Sequence, residues 1–363
     1  MKKLYLITGA AGHLGSALCA ELHEREARMR ALALPGEDVS FLRRMGADIY
    51  FGDVTKPETL DAFFDLPADA DAIVLHCAGI VDIAGKKNPA VDAVNVGGTE
   101  NVMRLCLAKQ IRKVVYVCSV HAMPDLKQGR VKRERETYDP APLDGAYARS
   151  KATAANLVLD MVRSARLPAV IVLPSGIIGP YCGRGNHLVQ LVKNYCCGKL
   201  PAVVKGGYDF VDVRDVADGI LAAADRGRIG ESYLLTGNYH SLKETVSMLH
   251  EITGRRKIGA VPMWMARIAA PLAERLAKRR HRKPLFTPYA LRVVLENGLF
   301  SHDKAARELG YAPRELYETL EDTVEWLQET GEIPKPATPA PKRRRIRVRT
   351  GRPDDRPFAE ALQ

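Results

Sequence analysis

The chain has 363 residues, 46% of them hydrophobic, and a formal net charge of +11 at pH 7. This size and apolar content support one large domain, or two closely packed domains, around a buried core. Most of the basic charge lies in residues 255–283, with ten Lys and Arg against one acid, and in residues 335–363, with nine against three. The rest of the chain is net negative, so we expect no nucleic-acid-binding fold and no specific nucleic-acid partner.

The seven cysteines are odd in number, scattered and without a C-x-x-C pair. This distribution indicates reduced thiols in a cytoplasmic protein and argues against a disulfide framework or a bound metal. No stretch approaches about 20 uninterrupted apolar residues, so we expect no transmembrane segment.

An apolar run at residues 4–8 and a helical pattern at residues 16–25 enclose the sequence Thr8-Gly9-Ala-Ala-Gly12-His-Leu-Gly15. Glycines permit a tight turn at positive φ, close approach of the backbone to a pyrophosphate, and close packing of helix on strand. The helix amino terminus adds free N–H groups and the positive end of its dipole. The motif therefore predicts a dinucleotide site formed by Gly9, Ala11, Gly12, His13, Leu14 and Gly15.

The second predicted strand, residues 29–34, bears on the choice between the cofactors NAD and NADP. An enzyme that prefers NAD usually has an acid at the end of this strand to bind the ribose hydroxyls, whereas one that accepts NADP has an arginine nearby. Glu37 and Asp38 follow the strand and would repel a 2′-phosphate, while Arg43 and Arg44 would attract one. The sequence leaves both cofactors open and slightly favours NAD.

Two further predicted strands end in residues suited to the same dinucleotide site. Residues 51–54 close a third strand with Asp53 and Val54, and an apolar run at residues 73–77 leads into Ala78 and Gly79. Open parallel sheets bind ligands at the carboxyl ends of their strands. The alternative for Asp53 is an ordinary turn or helix-cap aspartate.

A second motif, Tyr147-Ala-Arg-Ser-Lys151, follows Ser119, which ends the apolar run 114–119. Tyr147 and Lys151 are four residues apart, so they share one face of a helix. A free tyrosine titrates near ~10, and a neighbouring ammonium lowers that pKa towards the range useful in general acid–base catalysis. We therefore expect Ser119, Tyr147 and Lys151 to be catalytic; the alternative is a surface helix with an ordinary Tyr and Lys.

Strand-like runs alternate with helical patterns from residue 4 to residue 172, which predicts an α/β fold with a doubly wound parallel sheet of the Rossmann type. We assign residues 1–173 to this dinucleotide-binding domain. Pro174 ends the predicted strand 169–173, and residues 174–207 and 237–333 would build a smaller, interleaved substrate lobe. The chain would return to the sheet within residues 208–236, through 211–213 and 232–235. Residues 334–363 are predicted to be a disordered basic tail.

These motifs resemble, in their order, the extended short-chain dehydrogenase/reductases, also called NAD-dependent epimerase/dehydratases. The resemblance covers about residues 3–330 and is carried by residues 8–15, 52–54, 76–79, 94–99, 119, 147–151 and 210–217. Within the family, residues 75–82 look most like the branch of 3β-hydroxysteroid dehydrogenases and dihydroflavonol reductases. A homodimer is usual among such proteins, and the resemblance implies one here.

The resemblance also implies roles for single residues. Asp53 would contact the adenine, Ser119 would hydrogen-bond the reacting oxygen, Tyr147 would take up the hydroxyl proton, and Lys151 would also hold the nicotinamide ribose. The residues expected to bind the cofactor are Gly9, Ala11, Gly12, His13, Leu14, Gly15, Asp53, Val54, Ala78, Gly79, Tyr147, Lys151 and Pro174.

Two further side chains, His121 and Tyr181, are candidate contacts for a small-molecule substrate. For His121 the alternative is a loop cap, because a histidine without a partner is seldom catalytic. Asn95 recurs in the family, and we expect it to have a structural role at a helix start.

The implied activity is NAD(P)-dependent interconversion of a secondary alcohol and a ketone on a bulky, apolar, sterol- or flavonoid-like substrate. The first alternative is a nucleotide-sugar epimerase or dehydratase with the same catalytic residues. Many such epimerases resemble R-D-Y-I-H-V where this chain has Tyr208-Asp-Phe-Val-Asp-Val213, so Tyr208 replaces an arginine that binds the diphosphate. Arg184 could compensate. The second alternative is a non-catalytic NAD(P)-binding sensor, although such relatives usually lack the Tyr and Lys pair.

Residues 264–283 combine helical apolar spacing with the basic run Arg279-Arg-His-Arg-Lys283. We expect a lid helix of the substrate lobe with a solvated charged end. The alternative is peripheral contact with an anionic membrane surface.

Overall fold

The computed structural model describes residues 2–82, 88–182, 185–266 and 288–335. Its main feature is a parallel sheet of seven strands, numbered here in chain order: β1 (Lys2–Thr8), β2 (Arg28–Ala33), β3 (Asp48–Phe51), β4 (Ala70–His76), β5 (Lys113–Val117), β6 (Ala169–Pro174) and β10 (Ser232–Leu235). Their spatial order is β10-β6-β5-β4-β1-β2-β3, and each neighbouring pair is parallel. The order reverses direction at β1 and β4, which confirms the predicted doubly wound, Rossmann-type sheet.

The helices with both ends in the described residues are α1 (His13–Glu24), α2 (Ser40–Arg44), α3 (Pro89–Asp92), α4 (Thr99–Ala108), α5 (Ala146–Ala165), α6 (His187–Cys196), α7 (Val213–Arg226), α8 (Leu242–Thr253), α9 (Pro288–Val293), α10 (Asp303–Leu309) and α11 (Leu316–Glu329). A π-helical segment, Ala93–Gly98, joins α3 to α4, and single turns of 3₁₀ helix occupy Pro57–Thr59 and Val120–Ala122. Helix α1 begins three residues before the predicted residue 16, directly after Gly12. None of the helices described has the length and hydropathy needed to cross a lipid bilayer.

Both faces of the main sheet are covered, as the apolar runs of its strands require. Side chains of β1 alternate between the two faces. Leu4 and Leu6 belong to a buried cluster with residues of α4 and α5, whereas Tyr5 and Ile7 belong to a second cluster with residues of α1 and α7. The carboxyl ends of the strands are therefore held rigidly at one edge, where the candidate site lies.

A second, three-stranded sheet lies beyond Pro174. It consists of β7 (Gly176–Ile178), β9 (Gly207–Asp212) and β11 (Asn238–Ser241), with β9 in the centre. Strands β8 (Val203–Val204) and β12 (Ala260–Val261) form a separate pair. A third apolar cluster joins α6, α8 and α11 in this part of the chain.

The predicted return to the main sheet at residues 211–213 is wrong. Residues of β9 pair in parallel with β7 and antiparallel with β11, so this strand belongs to the second sheet. Of the strands after β6 in the described part of the chain, only β10 rejoins the main sheet, beside β6. The division into a cofactor domain at 1–173 and a substrate lobe at 174–207 and 237–333 remains a proposal. Most of the basic segment 264–283 and of the predicted tail 334–363 lies outside the described residues.

Candidate active site

The glycine-rich turn between β1 and α1 has the geometry of an anion cradle. Gly9 has φ of +66°, and its carbonyl oxygen accepts a hydrogen bond from the Gly12 N–H at 3.1 Å. A Cβ on Gly15 would lie 2.3 Å from the Gly9 oxygen, and one on Gly9 would lie 2.8 Å from Ala78 backbone atoms. Helix α1 has no side-chain cap and no acid in its first turn. Its amino terminus therefore offers backbone N–H groups to a pyrophosphate, which fits a dinucleotide.

His13, the first residue of α1, links this turn to the chain beyond β7. Its Nδ1 accepts a hydrogen bond from Asn186 Nδ2 at 2.9 Å, and its Nε2 donates to the Pro180 carbonyl at 2.7 Å. Burial lowers the pKa of His13 to about 4, so the ring is neutral near pH 7. Asn186 also caps α6 by accepting from two backbone N–H groups. The other two predicted loop contacts, Ala11 and Leu14, pack partly buried against the core.

Carboxylates lie at the ends of β2 and β3. Glu37 Oε2 accepts a hydrogen bond from the Leu34 N–H at 2.8 Å, which holds the acid directly after β2. Asp53 Oδ1 accepts from the N–H and the hydroxyl of Thr55, at 2.9 and 2.8 Å. Asp53 therefore does form the turn that was its alternative, and its contact with adenine remains a prediction. Val54, next in the chain, is buried against Gly98.

A continuous chain of hydrogen bonds runs beneath the predicted cofactor contacts Ala78 and Gly79. The Ala78 N–H donates to Thr8 Oγ1 at 3.2 Å, and Thr8 Oγ1 lies 2.7 Å from His76 Nδ1. His76 Nε2 lies 3.1 Å from Thr99 Oγ1, which donates to the Asn95 carbonyl at 2.7 Å. These partners are all satisfied if His76 is neutral with its proton on Nε2. Burial lowers its pKa to about 3, in agreement with that form.

Asn95 lies in the π-helical segment rather than at a helix start. Its amide group donates to and accepts from the backbone of Ile80, and Nδ2 also donates to Ser150 Oγ at 3.0 Å. Ser150 Oγ in turn donates to the Tyr147 carbonyl at 2.9 Å. The structural role expected for Asn95 is thus visible, and it joins the loop after β4 to the first turn of α5.

The structure brings Ser119, Tyr147 and Lys151 to the carboxyl edge of the main sheet. All three are buried, with 6%, 8% and 5% of their surface exposed. Lys151 Nζ donates to the Val117 carbonyl at 2.8 Å, two residues before Ser119. The ring of His121 lies with its centroid 6.0 Å from that of Tyr147. Ser119 Oγ accepts from the His121 N–H at 3.2 Å, which leaves the serine hydroxyl proton available to a ligand.

Lys151 is a buried cation, and no acid forms an ion pair with it in the part of the chain that the structure describes. Its ammonium lies 5.2 Å from the centroid of the Tyr116 ring, close enough for a cation–π contact. Burial lowers the pKa of Lys151 from its usual value. A Cβ built on Gly79 would lie 3.4 Å from this ammonium, so the predicted cofactor contact and the predicted catalytic lysine are neighbours.

A cavity of about 150 Å³ opens beside His121 and Ala148. Apolar side chains from several segments line part of it: Val120, Met123, Leu143, Val293 and Phe300. The remaining wall includes Ser175, Tyr208 and Asp209, which sequence reasoning did not propose as site residues. One sequence signal could have identified Asp209, because it lies in residues 208–213, the segment compared above with the substrate-binding motif R-D-Y-I-H-V. A larger cavity of about 730 Å³ lies between α4 and α5, and no candidate catalytic residue lines it.

Pro174, a predicted cofactor contact, and Tyr181, a predicted substrate contact, are not among the residues that line the cavity beside His121. Pro174 is the buried last residue of β6 and pairs with Leu235 at the carboxyl edge. Tyr181 has φ of +67°, and its ring centroid lies 5.8 Å from that of Phe41 in α2. Tyr181 does not line the cavity beside His121. Its contact with substrate therefore remains a prediction. The described residues contain no cluster of three or more His, Cys, Asp or Glu side chains arranged to hold a metal ion.

The doubly wound parallel sheet, the glycine cradle and the grouped Ser, Tyr and Lys side chains define a nicotinamide-dinucleotide enzyme of the Rossmann type. The sequence profile of the NAD dependent epimerase/dehydratase family matches residues 5–235. Sterol demethylase protein B of Methylococcus capsulatus is 31% identical over 335 residues, which cover 90% of this chain and 99% of that protein. Mouse 3 beta-hydroxysteroid dehydrogenase type 7 is 30% identical over 366 residues, which cover 90% of this chain and 95% of that protein. The crystal structure of gox2253 superposes with a TM-score of 0.77 at 31% sequence identity, and the match covers 91% of this chain and 99% of that chain.

The chain belongs to the NAD-dependent epimerase/dehydratase family, the extended short-chain dehydrogenase/reductases. It is an enzyme of that type, and its cofactor is a nicotinamide dinucleotide. The resemblance stated from the sequence motifs is thereby confirmed.

Proposed function

We propose that this enzyme interconverts a secondary alcohol and a ketone on a bulky, apolar, sterol- or flavonoid-like substrate, with NAD or NADP as cofactor. The observation that carries the proposal is the joint burial of Ser119, Tyr147 and Lys151 near a cavity whose wall is partly apolar and includes His121, the neighbour of Tyr147. The names of the relatives described above, a sterol demethylase component and a hydroxysteroid dehydrogenase, support the same substrate class.

In the proposed mechanism Ser119 and Tyr147 act at the reacting oxygen of the substrate, and Lys151 acts on Tyr147. The bound nicotinamide supplies the hydride acceptor or donor. Ser119 donates its free hydroxyl proton to the substrate oxygen and fixes its position. In the direction of alcohol oxidation, Tyr147 takes the proton from the substrate hydroxyl. Lys151, anchored on the Val117 carbonyl, supplies the nearby positive charge that favours the phenolate form of a tyrosine.

The cofactor would lie along the carboxyl edge of the sheet. The pyrophosphate would bind at Gly9, Gly12 and the amino terminus of α1, because that backbone approaches closely and carries free N–H groups. Glu37, held at the end of β2, would accept hydrogen bonds from ribose hydroxyls and repel a 2′-phosphate. We therefore propose NAD as the preferred cofactor.

The size of the cavity restricts how a large substrate binds. A volume of about 150 Å³ is below the roughly 300–1,000 Å³ of typical small-molecule sites. We propose that one end of the substrate enters this cavity, while the rest of its skeleton extends beyond it. His121, which lies on the cavity wall beside Tyr147, would contact the part nearest the reacting carbon.

A nucleotide-sugar epimerase or dehydratase is the second candidate, because the family includes these activities and the same three residues would serve them. A charged diphosphate normally requires an arginine partner. Among the described residues that line the cavity there is no arginine, and Tyr208 occupies the position compared with the arginine of R-D-Y-I-H-V. This favours the dehydrogenase. Arg184, the residue named as able to compensate, lies outside the described residues. The third hypothesis, a non-catalytic NAD(P)-binding sensor, predicts no turnover, so the turnover assay described next distinguishes it from both enzymes.

The test is a nicotinamide absorbance assay of the purified protein with NAD and NADP, against a hydroxysteroid panel and a sugar-nucleotide panel. The proposal predicts net formation or consumption of reduced cofactor with hydroxysteroids. Conversion of a sugar nucleotide on chromatography, with flat absorbance, would instead establish the epimerase or dehydratase. Turnover of neither panel would overturn the hydroxysteroid proposal and favour the sensor.

A cytoplasmic location and a homodimer complete the proposal. The groove between α4 and α5 includes Leu107, Leu157 and Met161, so it offers apolar surface to a second copy. For residues 264–283 we retain the lid helix as the proposed role and membrane contact as its alternative. Trp264 and Met265, at the start of that segment, are exposed by 65% and 45%.

A further inference from the structure

Asp209 is a buried acid on the wall of the candidate substrate cavity, and the proposed mechanism does not use it. It is 5% exposed and lies in the central strand β9. Its Oδ1 accepts a hydrogen bond from Ser175 Oγ at 2.5 Å and another from the Gly237 N–H at 2.8 Å. Ser175 follows β6, and Gly237 lies between β10 and β11. The acid therefore lies where two adjacent strands of the main sheet end.

Both hydrogen bonds converge on one carboxyl oxygen. Within the described residues, no hydrogen bond is made to Asp209 Oδ2, and no cation pairs with this acid. Lys132, the buried cation on the same cavity wall, is already paired with Asp125 at 2.9 Å. The two hydrogen bonds to Oδ1 connect the loops that follow β6 and β10, which is a structural role for that oxygen. They give no role to Oδ2.

The surroundings of Asp209 favour its neutral form. Burial raises the pKa of Asp209 to about 7, although the bonds from Ser175 and Gly237 act in the opposite direction. The other titratable or charged side chains on the cavity wall are His121, Asp125, Lys132, Asp144, Tyr208 and Glu296. Burial lowers the pKa of His121 to about 4, so that ring is neutral near pH 7. Tyr311, near Asp209, has a buried hydroxyl that donates to the Thr236 carbonyl.

We propose that Asp209, positioned by Ser175, binds a second, uncharged oxygen of the substrate, a hydroxyl or a carbonyl, away from the reacting carbon. A carboxyl group can donate from Oδ2 when protonated and accept there when ionised, so it suits either kind of oxygen. An anionic group is disfavoured because several acids line the same wall. This inference rests on the proposed function, and it narrows the substrate class to alcohols or ketones with an additional neutral oxygen.

The test uses dehydroepiandrosterone, which carries a keto oxygen remote from its reactive hydroxyl, and its 17-deoxy analogue. For each we would measure kcat/KM with NAD from pH 6 to 8, together with equilibrium binding by calorimetry. The parent should prefer the keto compound about tenfold, which corresponds to about 1.4 kcal/mol. Asp209→Asn retains an acceptor for Ser175 and Gly237 but cannot titrate. The keto oxygen is an acceptor, so the preference of the parent should be greatest at pH 6 and should fall towards pH 8 as Asp209 ionises. Asp209→Asn has Nδ2 as a permanent donor in place of Oδ2, so its preference should stay near tenfold at every pH.

Two further variants make the result decisive. Asp61→Asn makes the same chemical change at an exposed residue away from both cavities, and it should retain the preference and the pH dependence of the parent. Ser175→Ala removes the positioning hydrogen bond and should reduce the preference even if Asp209→Asn fails to fold. The inference is overturned if the parent shows no preference, if the preference of Asp209→Asn falls with pH as that of the parent does, or if Ser175→Ala keeps the full preference of the parent. Turnover of both steroids without discrimination overturns the subsite alone. Failure to bind or convert either steroid overturns the proposed function and this inference together.

Discussion

Replacement of Gly9 by alanine tests whether the glycine turn is built for close approach of backbone to backbone. Gly9 has φ of +66°, and an added Cβ would lie 2.8 Å from the N and Cα of Ala78. Gly254 has the same φ of +66° at the end of α8, but an added Cβ would meet nothing within 4 Å. The pair therefore separates the conformational cost of a left-handed alanine from the cost of the steric clash.

The left-handed conformation costs a non-glycine residue roughly 1–2 kcal/mol, partly offset by the lower entropy of the unfolded chain. We therefore expect Gly254→Ala to lower the free energy of unfolding by about 1 kcal/mol. Gly9→Ala should add the cost of overpacking against rigid backbone, roughly 1–3 kcal/mol, for a total of about 2–4 kcal/mol. Because the turn carries the cradle, its displacement should also weaken cofactor binding at least about tenfold.

Urea denaturation of both variants would measure the free energies of unfolding, and NAD titration by calorimetry would measure the dissociation constants. Gly254→Ala should bind NAD as the parent does. Equal destabilisation in the two variants, with unchanged NAD affinity in Gly9→Ala, would refute the argument that close packing against Ala78 shapes the cofactor site.

Three other predictions follow from single contacts. Glu37→Ser should raise the ratio of kcat/KM for NADP over NAD about tenfold, because it removes a carboxylate that repels the 2′-phosphate; an unchanged ratio would contradict this role. Asn186→Ala should lower the free energy of unfolding by about 1–2 kcal/mol, and Asn186→Asp, which keeps the α6 cap but loses the donor both to His13 and to the Ile177 carbonyl, should also melt below the parent; a melting temperature of Asn186→Asp equal to that of the parent would contradict a role for the two side-chain donor bonds. Burial raises the pKa of Asp209 to about 7 from about 3.9 in the unfolded chain, so its contribution to stability is complete below about pH 4 and is lost as pH rises through about 7. Melting temperatures between pH 4 and 8 should fall less in Asp209→Asn than in the parent, and parallel curves would contradict the shift.

Local sequence patterns were sufficient to predict the parts of the site that local backbone geometry dictates. The glycine spacing predicted the turn before α1, and the four-residue spacing of Tyr147 and Lys151 placed both on α5. The apolar runs predicted the strands of the main sheet, because strands buried on both faces are continuously hydrophobic. The strand near residues 211–213 was placed in the wrong sheet, since its apolar residues suit any buried strand and do not identify its partners.

Contacts between distant segments could not be predicted in the same way. Asp209, Ser175 and Gly237 meet because strand β9 packs against the loops that follow β6 and β10, and no spacing in the sequence records this. The same holds for His13 and Asn186, which are far apart in the chain and hydrogen-bonded in the fold. Such pairings depend on tertiary packing, which one sequence without its structure does not specify.

The most direct test of the central claim is nicotinamide turnover by Tyr147→Phe, with Tyr50→Phe as a control for the same loss of a hydroxyl in β3. With a hydroxysteroid that the parent oxidises, the account predicts that Tyr147→Phe lowers kcat by roughly 10²–10⁴-fold, while NAD still binds and Tyr50→Phe retains the parent rate. A Tyr147→Phe variant that forms reduced cofactor at the parent rate would contradict the proposed mechanism.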